Sequence, residues 1–107
     1  MTPDAITGVR DGPRTYANAL FQNVPNPFGS GTQIAFSLEK AGRVSLKIFD
    51  AKGRLVRELV DEQRAPSRYV ETWDGRDGRG RSVAAGMYFY RLELPGWSSV
   101  KKMTLVK

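Results

Sequence analysis

The side chains here that could do chemistry are carboxylates, hydroxyls, lysines and aromatic rings, because histidine and cysteine are both absent. Their absence removes the commonest general base, metal ligand and pH switch, and with them any Ser-His-Asp or Cys-His site. A serine–lysine nucleophile would need a serine on a sharp elbow, and no serine sits in a recognisable one. Asp74-Gly75-Arg76-Asp77-Gly78 superficially resembles the start of a calcium loop. A hard cation wants six or more oxygen ligands, and Arg76, Arg79 and Arg81 would repel it. Turn chemistry accounts for the segment better, since aspartate bonds nearby backbone N–H groups and glycine supplies positive φ. Phe89 and Trp97 are the aromatic residues expected to be exposed, a candidate surface for stacking a sugar ring. Tyr88, Tyr90 and Trp73 read as core. The sequence therefore points away from catalysis and calls for no metal and no cofactor.

Charge narrows the partners. Seventeen lysines and arginines face eleven acids, a formal net charge of +6. That balance would suit nucleic acid or an anionic surface, but the cations are spread along the chain and no nucleic-acid module signature appears. A solvated, arginine-rich surface is the expectation. No stretch approaches the roughly 20 apolar residues that span a bilayer, so membrane insertion is not expected. Met1 to Ile6 lacks the basic and apolar regions of a secretory signal. Residues 1–18, rich in proline, glycine and polar residues, read as a linker to an upstream passenger domain of the same polypeptide.

Residues 19–107 must supply the framework. A chain of 107 residues suits one domain, burying roughly two thirds of its unfolded surface. Short runs separated by turn residues point to an all-β protein. Ile34, Phe36 and Leu38 alternate with polar or small residues, as do Val44, Leu46 and Ile48. Asp50-Ala51-Lys52-Gly53 reads as a hairpin turn. The returning strand, Arg54 to Val60, is irregular enough to suit a sheet edge. Gln63 to Ser67 reads as a polar loop. In the next strand Glu71 shares a face with Tyr69 and Trp73, which is tolerable only with an open face or a partner. Tyr88, Tyr90, Leu92 and Leu94 form one face of a clear strand, with Phe89, Arg91 and Glu93 on the other. Pro95-Gly96 makes a turn, and Met103 and Leu105 point inward on a final strand. The expected fold is an immunoglobulin-like or fibronectin-like sandwich of about seven antiparallel strands in two sheets.

Several stretches in order resemble a known family. They are Asn23-x-Pro25-Asn26-Pro27-Phe28; Asp50-x-x-Gly53-Arg54-Leu55; Trp73-Asp74-Gly75-Arg76-Asp77; Gly86-x-Tyr88-x-Tyr90-Arg91-Leu92; and Lys102-Met103-x-Leu105-x-Lys107. Together they resemble the C-terminal sorting domain carried by cargo of the type IX secretion system. Val9-Arg10-Asp11 resembles the linker that precedes such domains. The resemblance implies export through the periplasm to the cell surface or beyond, and recognition by the outer-membrane translocon and a surface sortase. It places the signal elements on Gly86, Tyr88, Leu92, Lys102, Leu105 and Lys107, and cleavage within residues 1–20. The segment Lys102 to Lys107 would carry the signal as an exposed strand end. Trp-Asp-Gly and Gly-x-Tyr are shared with the Ig-like domain of the flagellar hook-cap protein, so a hook-cap-like domain is one alternative. An Ig-like spacer or carbohydrate-binding module of an extracellular enzyme is the other.

Overall fold

Period-two alternation becomes two packed sheets. The computed structural model describes residues 15–107, and the first fourteen residues of the expected 1–18 linker, with most of the expected cleavage region, lie outside them. Seven strands are described: β1 (Ala19–Leu20), β2 (Thr32–Leu38), β3 (Gly42–Asp50), β4 (Leu55–Arg64), β5 (Ser67–Trp73), β6 (Gly86–Leu94) and β7 (Trp97–Leu105). They pair antiparallel into a three-stranded sheet of order β1-β2-β5 and a four-stranded sheet of order β4-β3-β6-β7. The fold is the expected all-β sandwich, with no helix among the described residues.

The core is filled by the alternating residues. Ile34, Phe36 and Leu38 come from β2, Val44, Leu46 and Ile48 from β3, and Tyr88, Tyr90 and Leu92 from β6, all buried. Met103 and Leu105 complete it from β7, and Trp73 from β5. Trp73 meets Phe28 and Tyr88 edge-on, with ring centroids 5.6 and 5.4 Å away, an arrangement favoured by the ring quadrupoles.

Strand β4 is an edge, as its irregular pattern suggests, but it runs through Arg64 and shortens the expected polar loop to Ala65-Pro66. Its pairing with β3 skips Leu59 and then Val56. These two bulges turn Val56 and Leu59 toward the core and hide the alternation. At the far end of β4, Arg64 points between the sheets. Its guanidinium stacks 4.7 Å from the Tyr69 ring and pairs with Glu62 at 2.8 Å and Glu71 at 3.0 Å. Glu71 thus has the partner its position demands. Burial disfavours the Arg64 charge, yet the hydrogen bonds to Glu62 and Glu71 outweigh it and hold the pKa above the usual arginine value.

The turns follow the expected chemistry. Asp50 Oδ1 accepts the N–H groups of Lys52 and Arg54, and Gly53 takes φ +84°. Asp77 Oδ1 accepts those of Arg79 and Arg81, while Asp74 Oδ1 accepts that of Arg76. These backbone bonds, that from Arg54 and that from Arg81 foremost, lower the pKa values of Asp50 and Asp77.

Candidate functional site

The segment after β1 crosses from one sheet to the other, and its composition explains how. Val24 exchanges backbone hydrogen bonds with Gln33 at 2.8 and 2.9 Å, keeping the chain beside β2. Pro25 and Pro27, both preceded by cis peptide bonds, then bend it away; neither has an N–H to satisfy. Asn23 organises the bend from inside, at 2% exposure. Its Nδ2 donates to Pro25 O (3.1 Å) and Thr32 Oγ1 (3.0 Å), and its Oδ1 accepts from Gln22 Nε2 (2.6 Å). Thr32 Oγ1 in turn donates to Pro25 O at 2.8 Å. The backbone N–H of Asn23 donates to the Tyr90 hydroxyl (2.9 Å), which donates to Phe21 O (2.8 Å). Burial pushes the Tyr90 pKa up to about 12 despite the stabilising Asn23 N–H.

The bend delivers residues 22–28 to the outer edge of β7. Gln22 Nε2 donates to Lys102 O at 2.9 Å, and Thr104 N–H donates to Asn26 Oδ1 at 2.9 Å. Phe28 N–H donates to Thr104 O at 3.0 Å, and Val106 N–H donates to Phe28 O at 2.8 Å. Phe28 thereby forms a parallel bridge with Leu105, and its ring is buried against Trp73. Residues 22–28 act as a strap, and the second half of β7 is held between it and β6.

The residues implied as signal elements fall around this strand. Gly86 pairs with Leu105 and Tyr88 with Met103, placing the three residues Gly86, Tyr88 and Leu105 at one end of the β6–β7 ladder. Gly86 has φ +151°, and a Cβ there would meet nothing within 4 Å, so backbone conformation explains the glycine better than crowding. The Tyr88 hydroxyl donates to Ala84 O at 2.6 Å, and burial, helped by the Asp50 charge, raises its pKa. Lys107 reaches the same end, where Nζ donates to Val83 O at 2.5 Å. Leu92 sits at the opposite end of the ladder, beside Ser99. Tyr88, Leu92 and Leu105 are buried core residues, while Lys102 and Lys107 are exposed. Among the described residues neither lysine has an ion-pair partner.

Phe89 and Trp97 do not come together. Trp97 pairs with Leu94 on the inner face and packs against the core, whereas Phe89 lies on the outer face beside Lys102. Both are half-buried, so the expected two-ring stacking surface does not form. The last residues of the expected 1–18 linker touch the sandwich. Ala17 O accepts from Ser37 Oγ at 2.5 Å and Asn18 Oδ1 accepts the Glu39 N–H at 2.8 Å, tying both residues to the sandwich. Asn23 and Gln22 are what residue-by-residue reading missed as site residues; the only sequence signal was the Asn-x-Pro-Asn-Pro-Phe stretch itself.

Comparison with known proteins bears on the fold. The chain resembles part of dimeric latent PorU of Porphyromonas gingivalis, with 24% identity and TM-score 0.64 over 92% of this chain and 10% of PorU. It resembles PorZ, a surface component of the type IX secretion system of the same organism, with 24% identity and TM-score 0.56 over 84% and 11%. FlgD of Xanthomonas campestris, a hook-capping protein, matches at 26% identity and TM-score 0.57 over 81% of this chain and 65% of FlgD. The chain thus spans about a tenth of PorU and PorZ, and the two likenesses show a shared fold. No curated protein sequence matches it. Residues 23–95, from the buried Asn23 to the β6–β7 turn, match the FlgD Ig-like domain family, and the chain belongs to that family.

Proposed function

We propose that this domain is a non-catalytic sorting module, recognised by the type IX translocon and surface sortase and exported with a passenger to the cell surface. One observation carries the reading. Stretches scattered from Asn23 to Lys107 converge on β7, where the strap, Trp73, Tyr88 and the Gly86–Leu105 pair all meet. The likeness to short portions of PorU and PorZ supports a module of a larger exported protein. Because Tyr88, Leu92 and Leu105 are buried, they act by shaping the folded strand. Lys102 and Lys107 are the implied side chains a partner can touch. A second reading, a hook-cap-like assembly domain, is favoured by the family span, which stops at residue 95 and leaves β7 outside.

The test is delivery. A fluorescent passenger with an export signal is fused to residues 1–107 in a host with the type IX system. Deleting 102–107 would also remove Met103 and Leu105 from the core, so Lys102→Ala with Lys107→Ala is the cleaner variant. Surface delivery that depends on the secretion system and falls severalfold in the double variant is expected. Full delivery by the double variant, or equal delivery in a host lacking the system, contradicts the proposal. Restoration of flagellar assembly when the domain replaces the Ig-like part of a hook-cap protein would favour the second reading.

A further inference from the structure

Successive residues of a strand send their backbone N–H and C=O to opposite sides, and in β7 the even-numbered residues face away from β6. The bonds made by Lys102 O, Thr104 and Val106 fix that assignment. Downstream of Lys102 O the strap occupies this edge. Upstream, the N–H and C=O of Ser98 and Val100 and the N–H of Lys102 have no backbone partner among the described residues. The chain before Gln22 runs close to β7 as β1, but its backbone bonds go to β2 of the other sheet and none reaches these groups.

The other long edge strand of this sheet is guarded differently. Strand β4 carries two bulges and the charges of Asp61, Glu62 and Arg64, devices that blunt strand pairing. The open stretch of β7 has neither a bulge nor a proline, and Val100 on its outer face is 55% exposed. Its charges have one sign: Lys101 is half-buried toward the inner face, Lys102 is exposed on the outer face, and neither is ion-paired among the described residues. The nearby carboxylate, Glu93, lies beside Ser98 and is 3.7 Å from Arg91. A second copy would bring two more lysines to the same edge. A strand with acidic residues would pair with them.

We infer that the Ser98–Lys102 edge of β7 is a strand-addition site for an extended acidic segment of a partner protein. The backbone supplies the hydrogen bonds, Val100 receives an apolar side chain, Lys102 selects a carboxylate two residues away on the same outer face, and Lys101 selects one on the inner face. The inference stands on the edge itself and does not rest on the sorting reading.

The test uses isotopically labelled residues 1–107 and an end-blocked hexapeptide, Thr-Glu-Glu-Val-Thr-Val, which antiparallel pairing can set with its two glutamates opposite Lys102 and Lys101 and its first valine opposite Val100, followed by amide resonances and hydrogen exchange. The peptide is expected to slow exchange at Val100 and Lys102 roughly tenfold or more, leaving Thr104 unchanged. The same peptide with lysine for glutamate should bind roughly tenfold more weakly. Val100→Pro removes only an outward N–H, which an edge strand tolerates, and should abolish binding while Thr104 resonances report an intact fold. Lys102→Glu should reverse the charge preference. No protection at saturating peptide, equal binding of both peptides, or binding that survives Val100→Pro overturns the proposal. So does a Val100 amide already protected without peptide, whether by residues 1–14 or by a second copy.

Discussion

The two long sides of the sandwich are closed in opposite ways. Between β4 and β5 the gap is filled by side chains: Arg64 lies over Tyr69 and joins Glu62 and Glu71, so the side is closed by charge turned inward. Between β1 and β7 it is closed by backbone: the Gln22–Phe28 strap is bonded along half of β7, and the outward N–H and C=O groups of the other half have no backbone partner among the described residues. The first side is finished and discourages pairing. The second has, among the described residues, unused hydrogen-bonding capacity beside lysines with no ion-pair partner, which is what a recognition strand requires.

Cutting the anchor of the backbone-closed side should have the largest effect. Phe28→Ala empties a fully buried ring site against Trp73 and is expected to cost about 3–5 kcal/mol. Denaturant titration measures it; a loss under about 1 kcal/mol would mean the strap is held by its backbone bonds alone. On the charge-closed side the expected loss is smaller. Arg64→Ala should cost about 2 kcal/mol, less than a fully buried pair because Glu71 is partly open to solvent. The double change Arg64→Met with Glu71→Leu should return within about 1 kcal/mol of the native chain, since the one charge left without its partner, Glu62, is exposed to solvent. If the double variant is worse than Arg64→Ala, the pair stabilises beyond relief of its own burial.

The pH response separates the sides further. With its folded pKa raised to about 12, Tyr90 favours folding in its neutral form. Its contribution is complete below the ordinary tyrosine value near 10 and is lost as pH rises through about 12. Stability should therefore fall across that window, and less so in Tyr90→Phe, which cannot ionise. Ultraviolet titration of the phenols beside denaturant curves checks this; identical pH slopes in the two proteins would contradict it.

Much of this contrast could be read in the sequence, but unevenly. Strands β2, β3 and β6 were legible because alternation is intact where one face is buried and the pairing is regular. The need for a partner at Glu71 was legible because a charge on an apolar face demands one. The extent of β4 was not, since bulges at Val56 and Leu59 break the period while the ladder continues. Nor was the separation of Phe89 from Trp97, because the turn fixes the register that sends them to opposite faces. The strap was hidden most completely. Asn26 and Phe28 stood out only as part of a family-like stretch, and their task is set by contacts with Thr104 and Val106 at the far end of the sequence.

Strand β7 is clamped over one half of its outer edge and, among the described residues, has no backbone partner over the other. Amide hydrogen exchange on residues 1–107 alone reads the difference. Slow exchange is expected at Thr104 and Val106, whose N–H groups donate to Asn26 and Phe28, and fast exchange at Ser98 and Val100. Equal protection at Val100 and Thr104 would contradict it.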